Sequence, residues 1–279
     1  MPPTIAYDKG RYHTYMDISM PPTFPMAEFR KFGVATVPLF PKILSDADMA
    51  DPLQRRSHCS AAWQAVRYRY RLCSECCDEF KLLLANPSEM WAAGWGDEEL
   101  SYNLERCIYT FFMGGLSVFD SFAYCLYFVG QAIQPGRFPA IAVTAAGIVD
   151  TAKLRQINRQ ATADAFAAAF PQATITKLLA GLSRRGNIKF AAIDELRNIV
   201  GHRLSGRHSS RSSHTMNADG TLTTDFHEET WFIPGAAGNL PFDAEMLQLY
   251  LDDMVGILKT LTEAAIEFAE SHQPATATP

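Results

Sequence analysis

The chain has 279 residues, 48% of them hydrophobic, which is enough for a substantial core in one large domain or two small ones and excludes global disorder. Its 25 Lys and Arg against 30 Asp and Glu give a formal net charge of -5, so it is no general polyanion binder, and any nucleic-acid contact must come from a local basic patch. The opening Met1-Pro2-Pro3-Thr4-Ile5 lacks the basic run and apolar stretch of a secretory signal. Cys59, Cys73, Cys76, Cys77, Cys107 and Cys125 all fall in helix-like stretches of the first half, where reduced thiols in a cytoplasmic protein are the expectation.

Residues 1–44 carry Pro2, Pro3, Pro21, Pro22, Pro25, Pro38 and Pro41. Proline blocks helix interiors, so the expectation is a proline-rich N-terminal arm, extended or in short turns, whose aromatics pack it on the main body. Ser45-Asp46-Ala47-Asp48 reads as a helix start. A long helical pattern follows to about Ala85, with a break at Pro52, and Asn86-Pro87-Ser88 ends it. Residues 91–96 read as a loop with aromatic anchors. A second long helix is expected over 98–134, stopping before Pro135-Gly136. Its stretch 108–133 is nearly all apolar and long enough to span a bilayer. Asp120 near the middle costs about 2.5–3.5 kcal/mol on insertion scales, so a buried central helix and no membrane contact is expected.

A third helical pattern covers 142–170, with Lys153, Arg155 and Arg159 exposed, and Pro171 restarts a shorter helix that ends near Arg185-Gly186. Asn187 caps a helix over 188–203. The polar stretch 205–220 reads as a mobile loop. Residues 222–226 and 230–233 read as two short strands of a hairpin that Pro234-Gly235 closes. A final amphipathic helix covers 242–271, and 273–279 reads as a disordered tail. The expected fold is all-α: a multi-helix bundle over 45–272 with one small β-hairpin before the C-terminal helix.

The helix over 188–203 carries the clearest functional mark, Arg197-Asn198-Ile199-Val200-Gly201-His202. On a wheel of about 100° per residue, Ile188, Ala192, Leu196, Ile199 and Val200 form an apolar stripe. Glu195, Asn198 and His202 follow one edge of it. Arg197 falls about 140° from His202, so an ideal helix does not bring the two groups together by backbone position alone. The long Arg side chain, a distorted helix end near Gly201, or a symmetric partner must help. Gly201 costs about 1 kcal/mol against Ala and allows another backbone or a ligand to approach.

Glu195-Leu196-Arg197-Asn198-Ile199-Val200-Gly201-His202 resembles the R-N-x-x-x-H form of the HEPN superfamily motif (higher eukaryotes and prokaryotes nucleotide-binding domain). The resemblance covers roughly residues 50–203 and takes in the long helix with internal Asp120. It implies a bundle that forms a homodimer, with two motifs facing one cleft. It also implies a ribonuclease that needs no metal or other cofactor, often a toxin with an antitoxin partner or a defence protein. The carried-over residues are Arg197, Asn198 and His202. Some toxin members have Tyr two residues after the His, as a site of modification; this chain has Leu204 there. Other members have lost catalysis, and a non-catalytic nucleotide-binding or protein-interaction module is the alternative.

The chemistry is coherent on its own terms. RNA can be cleaved without metal if a base activates the ribose 2'-hydroxyl and a cation stabilises the phosphorane. His202 suits the first task, Arg197 the second, and Asn198 can orient either. Asp120 and Glu195 are supporting candidates. Asp120 in an apolar helix needs a partner, and Arg197 is the first choice. Arg184, Arg185, Lys189, Arg203, Arg207 and Arg211 surround the motif in sequence, forming a candidate basic flank for RNA in a chain that turns acidic beyond Asp219. His208 and His214 in the polar stretch are solvent-exposed by default. His227-Glu228-Glu229 is expected in a solvated turn. Cys73 and Cys76 make a C-x-x-C without a second Cys/His pair, which favours core thiols over a metal site.

Overall fold

The computed structural model describes residues 19–40, 52–85, 97–138, 157–183, 186–202, 207–235 and 238–274. The expected helix start at 45–48, the loop at 91–96 and the helical pattern over 142–156 lie outside the described residues. Among the described residues the chain is mostly helical, in keeping with the all-α expectation: α1 (Met26–Thr36), α2 (Pro52–Ala85), α3 (Asp97–Ile133), α4 (Arg159–Ala169), α5 (Thr174–Ser183), α6 (Ile188–His202) and α7 (Ala244–Ser271). Three strands, β1 (Arg207–Met216), β2 (Leu222–Gly235) and β3 (Gly238–Phe242), form an antiparallel sheet between α6 and α7 in the chain.

The central pair is α2 and α3. Rising residue numbers on α2 meet falling numbers on α3, so the two helices run antiparallel. His58 meets Tyr124 at 3.2 Å, Arg69 reaches the Ser117 carbonyl at 3.0 Å, and Cys73 reaches the Phe111 carbonyl at 3.4 Å. α3 is apolar on most sides because it is covered on most sides, with Phe111, Phe112, Phe119, Phe122 and Phe128 buried. Its stretch Glu98–Ile133 is long and apolar enough to cross a membrane, but 78% of its most apolar window is buried within the protein, as a core helix requires. The six cysteines are free and buried, and burial pushes the Cys73 and Cys76 thiols up, the second to about 11. Both are thus held as neutral core thiols.

Several expectations need correction. The proline-rich segment contains a helix: no proline falls within Met26–Thr36, and Pro25 stands at its N-cap, where a missing N–H costs nothing. Phe29 of α1 stacks on Trp63 at 3.6 Å between ring centroids, and α1 also packs on α7, so this segment is part of the body. Gln273, assigned to the tail, donates to the Ala35 carbonyl at 3.1 Å. α4 starts afresh at Arg159, because Asn158 caps it by accepting from the Ala161 N–H at 2.9 Å.

The polar stretch after the motif is a strand rather than a loop. β1 pairs with β2 from Arg207↔Phe232 to Met216↔Leu222, with a bulge between Arg211 and Ser212. The two short strands expected over 222–233 are one strand, which puts His227, Glu228 and Glu229 within β2 and not in a turn. Pro234 and Gly235 pair with Asn239 and Gly238 of β3. Trp231 and Phe242 anchor the sheet edge to face at 6.1 Å, and Phe242 meets Phe112 of α3 at 5.9 Å. α7 is capped by Asp243, which accepts from the Met246 N–H at 2.7 Å. Leu247, Leu251, Met254, Leu258 and Leu261 form its buried stripe.

Candidate functional site

α6 begins at Asn187, whose Oδ1 accepts the Phe190 N–H at 3.1 Å, and packs on α3 and α7. Its buried face is Phe190, Ile193, Leu196 and Val200, while Ile188 is 84% exposed. The buried stripe is therefore rotated from the one read off the wheel. The rotation matters for Arg197. By helix geometry it falls about 45° from the centre of the buried face, beside Asp194 and Gly201, rather than on a far polar edge. It is half-buried, and its Nη1 donates to Asn198 Oδ1 at 3.0 Å. The short side of Gly201 lets α6 settle against α3: a Cβ there would lie 3.1 Å from Met113 Sδ.

Three helices meet beside this face through Arg159. From α4, its Nε lies 3.3 Å from Asp120 Oδ1 on α3, and its Nη2 lies 3.6 Å from Asp194 Oδ1 on α6. The guanidinium also stands 4.8 Å over the Phe190 ring. Arg159 and Asp194 are largely buried, at 19% and 13% side-chain exposure, while Asp120 is 50% exposed. Arg159, expected as an exposed residue, is thus a strut between helices. Asp120 is ion-paired with Arg159, and Arg197, the expected partner, acts on it through its charge.

Burial pushes the Asp120 carboxyl above its ordinary range, against the pull of Arg159, then Arg197, then Arg69, with Asp194 adding repulsion. Although half of the side chain is open to solvent, protein atoms crowd the carboxylate enough for the loss of water to prevail. The charges of Arg197 and Asp120 still act on one another, so the motif helix and the middle of α3 share one electrostatic site.

The other motif candidates are scattered. His202 is the last residue of α6, and its side chain lies outside the described residues. Glu195 is exposed, about 100° around the helix from Asp194. Lys189 is ion-paired with Asp253 of α7, about 20 Å along the helix from His202 at 1.5 Å per residue, so it does not join a patch at the motif end. Arg207 and Arg211 lie on β1, which brings their backbone next to β2. Arg184, Arg185 and Arg203 lie outside the described residues. His214 is exposed on β1. Among the described residues no group of three or more His, Cys, Asp or Glu side chains could hold a metal ion.

The chain matches no protein-family model, no curated protein sequence and no solved structure. The functional argument therefore rests on the residues themselves. Sequence reading missed Arg159 and Asp194 as members of the site. Their signal is weak in a single sequence, because each is one charged residue on a different helix, and only the packing of α3, α4 and α6 brings them together.

Proposed function

We propose that the protein is a metal-independent endoribonuclease of the HEPN type, acting on single-stranded or looped RNA. The observation that carries this reading is the joined Arg197–Asn198 pair on α6, five and four residues before His202, set against the charges of Asp120 and Arg159. In the proposed reaction His202 takes the proton of a ribose 2'-hydroxyl. The 2'-oxygen bonds to phosphorus, the bond from phosphorus to the 5'-oxygen breaks, and that oxygen leaves with a proton. Arg197 stabilises the charge on the phosphorane oxygens, and Asn198 keeps the guanidinium in place. Splayed nucleotides align most easily for in-line attack, hence the preference for unpaired RNA. Two chains in a homodimer would bring a second Arg197 and His202 to one cleft, which answers the separation of about 140° on a single helix.

The test is cleavage of a labelled RNA in EDTA, with products carrying a 2',3'-cyclic phosphate and a 5'-hydroxyl. His202→Ala should lose about 100- to 10,000-fold, and Arg197→Ala a comparable factor. A folded His202→Ala variant that cleaves as fast as the parent rejects the mechanism. If the parent binds RNA without cutting it, the non-catalytic nucleotide-binding reading takes its place.

A further inference from the structure

An open groove of about 350 Å³ runs along the seam of α2 and α3, bordered by His58, Arg69, Asp120, Ser121 and Tyr124. That volume lies in the range of small-ligand sites, roughly 300–1,000 Å³. His58, Ala61, Ala65 and Arg69 are spaced three or four apart on α2 and so share one face. The two alanines leave a shallow apolar floor between a basic residue at one end and an imidazole at the other.

Each polar group of the groove is anchored yet keeps capacity for a ligand. Arg69 Nη1 donates to the Ser117 carbonyl at 3.0 Å and to the Ser121 hydroxyl, which fixes one corner of the guanidinium on α3. Among the described residues its other donors have no protein acceptor, and a guanidinium edge held in this way suits two oxygens of a phosphate. His58 stacks on Phe128 at 5.0 Å, and its Nδ1 meets the Tyr124 hydroxyl at 3.2 Å. Burial lowers the His58 pKa, so the ring is neutral at neutral pH and adds no charge to the groove. Asp120 uses Oδ1 toward Arg159 and, among the described residues, leaves its second oxygen as an acceptor. A bare anion on Arg69 would be repelled by Asp120. A ligand that carries hydroxyl or amino donors next to its phosphate satisfies both.

We infer that this groove is a nucleotide subsite that holds one nucleoside monophosphate unit, with its phosphate on Arg69, a hydroxyl or amino group on Asp120, and its ring on the Ala61 and Ala65 floor beside His58. The inference rests on the ribonuclease reading for its source of nucleotide, since Asp120 links the groove to the field of Arg197 on the motif helix. A strand seated here would continue toward that helix.

The experiment titrates adenosine 5'-monophosphate into the full chain by calorimetry, with adenosine and inorganic phosphate as separate arms. Saturable binding of the monophosphate, stronger than either part, is expected. Ala61 is exposed, so Ala61→Trp should fold as the parent does, fill the floor and abolish binding. Arg69→Met should weaken binding at least about tenfold. His202→Ala should leave it within about twofold while RNA cleavage is lost. No binding of the monophosphate, equal binding of inorganic phosphate alone, or full binding by a folded Ala61→Trp variant would overturn the subsite, whatever the cleavage assay shows. Binding that follows the expected pattern in a protein that cuts no RNA keeps the subsite and rejects the ribonuclease reading.

Discussion

In the groove, polar groups are held from across a helix boundary: Arg69 of α2 by Ser117 and Ser121 of α3, His58 of α2 by Tyr124 of α3, and Asp120 of α3 by Arg159 of α4. Along the motif helix, Arg197 bonds to the residue beside it, Asn198, and His202 closes the helix. Cross-helix partners make site geometry and packing one problem, because losing one side chain loosens two elements. The contact between Arg197 and Asn198, by contrast, lies within one helix and follows its backbone. Loss of the Arg159 strut should therefore cost stability, whereas substitutions at Arg197 and His202 should cost chemistry first.

The sharpest test of that contrast is Arg159→Ala. It takes a cation away from Asp194, which is largely buried, and removes the tie of α4 to both α3 and α6. Breaking a buried pair from one side costs about 3–5 kcal/mol, and the half-exposed Asp120 lowers this to roughly 2–3 kcal/mol. Urea unfolding should show the loss as a lower midpoint with an unchanged slope. A loss below about 0.5 kcal/mol would mean that Arg159 is no strut, and the contrast with α6 would fail.

Next in size is a pair of glycine substitutions that compares a rigid contact with a yielding one. A Cβ on Gly130 of α3 would collide with the ring of Phe138, which is itself wedged against Tyr127 and Phe166. Gly130→Ala should cost about 1–3 kcal/mol by overpacking, despite a gain of up to about 1 kcal/mol in helix propensity. Among the described residues Gly201→Ala meets only the flexible tip of Met113, so propensity and crowding should nearly cancel, within about 1 kcal/mol. Thermal melts of the two variants decide it. Equal losses would show that α6 packs on α3 as tightly as Phe138 packs on Gly130.

The parts legible in the sequence are those set by one strong local pattern. α3 ends one residue from its expected stop because Pro135 follows, and α6 starts at its expected cap because Asn187 supplies the oxygen. The parts that escaped depend on partners distant in the chain. β1 has no apolar alternation in Arg207–Met216, and it is a strand because β2 lies beside it. α1 is masked by the prolines on either side of it, and its only local mark is the proline-free gap between Pro25 and Pro38. Ile188 fits the apolar stripe of the wheel but is exposed, because a wheel carries no information on which neighbour covers the helix, and Phe190 is buried in its place. The groove left a faint signal: His58, Ala61, Ala65 and Arg69 on one face of α2, and Ser117, Asp120, Ser121 and Tyr124 along one side of α3. Only the antiparallel register of the two helices turns those rows into one site.

The smallest expected effect is also the most specific to the groove. Burial holds the Asp120 carboxyl above its ordinary range even with Arg159, Arg197 and Arg69 nearby. The folded chain thus binds this proton more readily than the unfolded chain does. The ionised carboxylate is penalised in the fold at neutral pH, and the penalty is released as pH falls through the raised folded value toward the unfolded one near 3.9. Asp120→Asn keeps an oxygen for Arg159 and removes the charge. The variant should be slightly more stable than the parent at pH 7, with the gap closing toward pH 4, as urea titrations at the two pH values would show. The same variant should bind nucleotide less well, because the carboxylate that accepts from the ligand is gone. That opposition is what a residue kept for binding rather than for folding should display. If Asp120→Asn is instead less stable at pH 7, the ion pair to Arg159 outweighs the loss of water, and Asp120 belongs with the struts.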